Sequence, residues 1–211
     1  MKVLIACEYS GIVRDAFSKA GADAWSCDLL PTESELTRQE GKHYQCDIFD
    51  VLYQDWDLMI AHPPCTCLAN SGVSWLHKDA DRWIKLFEAS DFFIALLNAN
   101  IRMICIENPI QHKYAKRLIS KNPSQIIQPY MFGHPEQKAT CLWLKNLPLL
   151  QETNNVKKQM LELPKNERQR LHYLPPKKDM AKIRSKTFQG IANAMAEQWT
   201  EYIIKEQFNN Q

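Results

Sequence analysis

Two residues in this chain have the type and setting for covalent chemistry. Cys65 follows His62-Pro63-Pro64, and the apolar run 58–61 before it reads as a buried strand. The first proline has no N–H for a sheet ladder, so the strand stops there. Two fixed φ values then hold the cysteine on a rigid corner past the strand's carboxyl end, where open α/β sheets bind ligands. A cysteine that only packs needs no such mount. Glu107 stands in a matching place. The apolar run 103–106 leads into Glu107-Asn108-Pro109, again an ionisable residue at a strand end beside a proline. A thiol and a carboxyl in one crevice suit covalent catalysis on an electron-poor ring. The sulfur adds to a carbon, and the carboxyl hydrogen-bonds or protonates a ring nitrogen.

The elements that must position them follow from pattern. Residues 3–6 form a buried strand, and Cys7-Glu8-Tyr9-Ser10-Gly11 is a turn. Residues 12–20 have helical apolar spacing and stop at Gly21. Residues 22–27 give a second strand ending in Asp28. Strand, glycine turn, helix, strand and acid is an order that holds nucleotide-like cofactors. Only one glycine, Gly11, is present, and Asp28 reads equally as a loop acid. Residues 44–50 read as a short strand leading to a second acid; within it Asp47 could receive an adenine amino group, but by itself it reads better as a helix cap or turn acid.

Farther on, residues 68–72 are small and suit a flexible lid. Residues 79–98 form an amphipathic helix, with Trp83, Phe87, Phe92, Ile94, Leu96 and Leu97 mostly on the buried side. Residues 113–121 are helical. Strands at 125–130 and 140–144 could form an antiparallel hairpin at the far edge of the sheet. Residues 187–208 form a last helix that packs on it. Strands alternating with helices predict an α/β fold with a mostly parallel sheet and an antiparallel edge hairpin.

At 211 residues the chain is one domain, with a stretch of different character inside it. Residues 1–149 and 187–211 read as the catalytic unit. Residues 150–186 hold ten Lys or Arg against four acids, a formal +6 that leaves −4 for the remainder. This stretch reads equally as a nucleic-acid-facing arm or as a solvated connector. The overall charge of +2 names no partner. Seven irregularly spaced cysteines suit reduced thiols and an intracellular, cytoplasmic setting. No Cys or His pairs have zinc-ligand spacing, so no metal is expected. No apolar run is long enough for a bilayer span, so no membrane is expected.

Taken together, Pro63-Pro64-Cys65 followed by Gly72, and then Glu107-Asn108-Pro109, resemble the Pro-Cys and Glu-Asn motifs of the cytosine-C5 DNA methyltransferases. Tyr9-Ser10-Gly11-Ile12 is similar to that family's Phe-Ala-Gly-Ile cofactor turn. Gly190-Ile191-Ala192-Asn193-Ala194 is similar to its C-terminal Gly-Asn-Ala segment. The order is the family's and covers most of the chain, which also resembles short phage and prophage proteins of this kind. The resemblance implies a Rossmann-like class I fold that binds S-adenosyl-L-methionine (SAM). It implies a flipped cytosine attacked at C6 by Cys65, held at N3 by Glu107 and methylated at C5. Pro64, Thr66, Asn108 and Lys138 would attend the base; Tyr9, Gly11, Asp28, Asp47, Pro63 and Asn193 would attend the cofactor.

Three departures stand out. The Gln-x-Arg-x-Arg motif aligns with Glu136-Gln137-Lys138-Ala139-Thr140, so one cation remains. Val13 and Arg14 replace paired glycines. The target-recognition domain is absent, with only residues 150–186 in its place. These can bind phosphates but are too few to read a sequence. DNA, RNA, a free nucleotide, or DNA presented by a protein partner all remain open. So does a module that binds SAM or a nucleotide without turnover, as in opposing a host defence.

Overall fold

The computed structural model describes residues 1–175 and 180–209. Lys177, Lys178 and Asp179 of the basic stretch lie outside the described residues. Seven strands form one sheet: β1 (Lys2–Ala6), β2 (Asp23–Cys27), β3 (His43–Tyr44), β4 (Leu58–Ala61), β5 (Met103–Pro109), β6 (Gln125–Ile127) and β7 (Thr140–Lys145). Their order is β3-β2-β1-β4-β5-β7-β6. Strands β1 to β5 are parallel, and β7 runs antiparallel to both β5 and β6. This is the Rossmann-like class I arrangement, with the hairpin at the edge expected from sequence.

The central strands are buried on both faces because helices cover both. Val3, Ile5, Leu58 and Ile60 face α1 (Ile12–Lys19) and α8 (Gln189–Asn209), where Phe17, Met195 and Trp199 complete the layer. Leu4, Met59, Ile104 and Ile106 face the other side, against α3 (Asp81–Leu97) and α4 (Lys113–Ile119). The switch of face at each step is the period-two alternation of a pleated strand.

The buried stripe of α3 differs from expectation. Leu86, Ser90, Phe93 and Leu97 are buried, at helical spacing, whereas Phe87 is half exposed. One residue of offset turns a side chain by about 100°, so Phe87 lies off the stripe that Leu86 and Phe93 define. Strand β5 is also longer than the apolar run suggests. Glu107, Asn108 and Pro109 pair with Leu142, Cys141 and Thr140 of β7, which carries the strand past the end of β4. The start of the expected lid is tied down: Asn70 N–H donates to Ile110 O (3.2 Å), and His112 N–H donates to Leu68 O (3.0 Å).

A short helix, α2 (Glu35–Glu40), lies between β2 and β3, and three more occupy the basic stretch: α5 (Lys157–Glu162), α6 (Lys165–Arg168) and α7 (Met180–Ser185). Its described part packs on residues 130–137. Met160 and Leu171 are buried, and Val156 N–H donates to Tyr130 O at 2.8 Å. Among the described residues, no helix is long and apolar enough to cross a membrane.

Candidate active site

The register of β4 on β5 builds the site. Ala61 pairs with Ile106, so the next residues along each strand, His62 and Glu107, come side by side. His62 Nδ1 and Glu107 Oε2 are 2.8 Å apart. One step farther, Asn108 Nδ2 donates to Pro63 O at 2.9 Å. Two strand ends are thus stitched together by side chains, and the Pro-Pro corner is held against β5. A cavity of about 120 Å³ opens there, lined by Cys65, Glu107, His62, Asn108, Pro63 and Pro64 among others. The turn after β1, from Cys7 to Ser10, forms a second wall. Lys138 and residues 184–187 form a third.

The charges are uneven. Burial by itself would push the Glu107 carboxyl up; the His62 hydrogen bond and charge, with Lys138, outweigh it and hold the group below the usual range. Burial would likewise push His62 down, but its hydrogen bond to Glu107, the Glu107 charge and then Glu8 raise it instead. Both shifts favour the imidazolium–carboxylate form of the pair. The Cys65 thiol is pushed up, by burial first and by Glu107 second, with Lys138 opposing.

The β1 turn carries a buried acid that no apolar pattern marks. Glu8 is buried, and its carboxylate accepts from Val13 N–H (2.8 Å), Arg14 N–H (3.1 Å) and the Ser10 hydroxyl (2.9 Å). It caps α1, so these amides are not available to an anion. The signal was an acid a few residues ahead of a helix start. Gly11 caps the same helix with φ +74°. A Cβ there would meet Ser34 Cβ at 2.3 Å, so the glycine admits a neighbouring loop. Arg14 is fully buried and donates to Ala24 O at 2.9 Å, and it pairs with Asp15 and Glu40.

Other anticipated residues fall around the cavity rather than on it. Asp28 accepts from Leu30 N–H (2.9 Å), and the exposed Asp47 accepts from Phe49 N–H (3.0 Å). Both charges act on Cys7, which lines the cavity; burial first, then Asp28 and Asp47, push its thiol up to about 12. The two acids therefore lie near the β1 wall. Thr66 is exposed and outside the lining. Asn193 is exposed on α8 and accepts from Gln189 Nε2 at 2.8 Å. Gly190 brings α8 close to the hairpin: its N–H donates to His134 Nε2 at 2.9 Å, and a Cβ would meet Phe132 O at 1.9 Å.

The third wall is a strap, residues 180–187, drawn from the basic stretch. Lys138 Nζ donates to Arg184 O (2.8 Å) and is 3.5 Å from Lys186 O. Tyr9 Oη and Ser185 Oγ are 3.1 Å apart, and Lys186 pairs with Glu33 at 2.7 Å. Arg184 donates to Leu171 O and His172 O.

No family model matches this sequence, and no curated protein does. Solved structures of similar shape include an E. coli prophage-encoded protein assigned as a DNA modification methyltransferase, at 16% identity and TM-score 0.46, covering 78% of this chain and 56% of that one. The Entamoeba histolytica methyltransferase EhMeth is also similar, at 16% identity and TM-score 0.46, covering 74% of this chain and 57% of that one. A third is the S. pombe Dnmt2 methyltransferase, at 19% identity and TM-score 0.42, covering 71% and 51%. The chain spans little more than half the length of each. Each is named as a methyltransferase, the class that the Pro-Pro-Cys and Glu-Asn pair resembles.

Proposed function

We propose that this protein transfers a methyl group from SAM to C5 of cytosine in a nucleic acid, DNA foremost, with Cys65 as covalent nucleophile. The observation that carries the reading is the meeting of Cys65 and Glu107 at one cavity whose opposite wall is the β1 turn. The residues there fit the cofactor. Glu8 lines the cavity, and the charges of Asp28 and Asp47 reach its Cys7 wall, which gives that side an acidic character suited to a sulfonium and to ribose hydroxyls. Tyr9 and Pro63 supply apolar surface. When bound, SAM supplies an electrophilic methyl group.

The chain's own groups do the rest. Cys65 adds to C6 of the base, which makes C5 nucleophilic. Glu107 hydrogen-bonds N3, and Asn108 fixes the loop that carries the sulfur. Pro64 and Lys138 border the base, and Lys138 favours the thiolate. Backbone phosphates would meet the basic stretch, without sequence readout; a protein partner would then supply the choice of target.

Incubation with tritiated SAM and mixed DNA and RNA tests this. The wild type incorporates label into cytosine C5, and Cys65→Ala abolishes it. Full transfer by Cys65→Ala would refute the covalent mechanism.

A second reading has its own support. Glu8 occupies the α1 amides, and the cavity of about 120 Å³ is smaller than the roughly 300–1,000 Å³ of usual ligand pockets. Under that reading the chain binds SAM or a nucleotide and does not turn over. Calorimetric binding without transfer to any nucleic acid would favour it.

A further inference from the structure

Adding a thiolate to C6 of cytosine drives an electron pair onto N3. A proton must arrive there for the adduct to form without a buried anion. A carboxylate can hold N3–H only once that proton exists, and Glu107 is held as a carboxylate by its surroundings. The neighbour placed to supply one is His62, next in line past β4 and level with Glu107. Its Nδ1 is 2.8 Å from Glu107 Oε2, and the two side chains are 10% and 11% exposed. Its Nε2 is buried without a partner, so among the described residues Glu107 is its one side-chain hydrogen-bond partner.

We propose that His62 stores the proton for the base as an imidazolium and delivers it to N3 through Glu107. This rests on the methyl-transfer reading of the site. The charged groups facing His62 from the packed elements are Glu107 on β5, Glu8 in the β1 turn and Lys138 ahead of β7; the two acids favour the imidazolium and the lysine opposes it.

The step balances. The Cys65 thiolate pair forms the S–C6 bond, and the C5=C6 pair becomes C4=C5. The C4=N3 pair moves to N3. Glu107 first takes the proton from His62 Nδ1 and, now a carboxylic acid, gives it to N3, returning to carboxylate. Thiolate, carboxylate and imidazolium become thioether, carboxylate and neutral imidazole, so the total charge is unchanged. After methylation the N3 proton returns to His62 by the same route, and loss of the C5 proton to solvent turns the C5–H pair into C5=C6 and expels the sulfur as thiolate. A buried relay of this kind needs no water at the base.

His62→Asn is the test, because its amide can keep a donor near the Nδ1 position but carries no proton to give. Transfer by the variant should fall about 100-fold in kcat, in the range of positioned acid catalysis, with KM for DNA little changed. The alkaline limb of its pH profile should move to lower pH, since Glu107 must then take its proton from solvent. His62→Asn with the wild-type rate and limb would overturn the proposal and leave the methyltransferase reading standing. A wild type that transfers no methyl group would remove both. NMR of 15N-histidine-labelled wild type reads the store directly, whether or not the variant folds. His62 should stay doubly protonated through pH 7, and a singly protonated ring at that pH would refute the proposal.

Discussion

Replacing Lys138 with methionine removes the ammonium that ties the strap to the site while keeping most of its stem. The bond to Arg184 O at 2.8 Å is lost; the 3.5 Å approach to Lys186 O contributes little. A hydrogen bond from a charged donor is worth about 1.5–3 kcal/mol. Lys138 is only partly buried, so the lower figure applies. About 1.5 kcal/mol is roughly a tenfold rise in the fraction of molecules with the strap lifted. The Tyr9–Ser185 contact, the Lys186–Glu33 pair and the Arg184 bonds remain, so the strap should loosen and not unfold. Hydrogen-exchange mass spectrometry measures it. Amides of residues 180–187 should exchange about tenfold faster in Lys138→Met, while those of β1 and β4 keep their rates. Unchanged exchange in 180–187 would show that the ammonium does not hold the strap. Cysteine reactivity would be a poor substitute, because losing the cation raises the Cys65 thiol as opening exposes it.

Glu8→Ala should lower stability by about 1–3 kcal/mol in urea unfolding, because two buried amides of α1 lose their acceptor; Glu8→Gln should lose less. Gly190→Ala should also destabilise, by about 1–3 kcal/mol, since its Cβ meets a backbone carbonyl that cannot rotate away; an unchanged urea midpoint would contradict the close approach. Alkylation of Cys65 by iodoacetamide should rise with a midpoint above the ordinary thiol range, because burial and Glu107 both favour the thiol; a lower midpoint would refute that account. The His62–Glu107 pair should stabilise the fold most between about pH 4.5 and 6.5. Below that window its contribution fades as pH falls through the depressed Glu107 value, and above it as pH rises through the elevated His62 value. Glu107→Gln should flatten this part of the pH–stability curve.

Much of this architecture is written in local pattern. The apolar run at 58–61, closed by Pro63, is β4 to the residue, because period and a missing N–H are properties of the chain itself. The order of strands and helices, and the edge hairpin, follow for the same reason. Cys65 and Glu107 were legible because each stands where a buried strand meets a proline. Their neighbours were not. Nothing in the local pattern marks His62; only the pairing of Ala61 with Ile106, across 45 residues, makes it the partner of Glu107. Glu8 could be read as a turn acid until the helix amides were seen to point at it. The basic stretch gave no sign that its end crosses the site, because Lys138 and Arg184 lie 46 residues apart and neither carries a local mark of the other. Phe87 and Phe93 are alike as residues, and which one is buried depends on where α3 meets the sheet. Element type is settled by spacing along the chain and by backbone chemistry. Proton ownership, access and charge are settled by distance in space, which exists only once the strands have chosen their register.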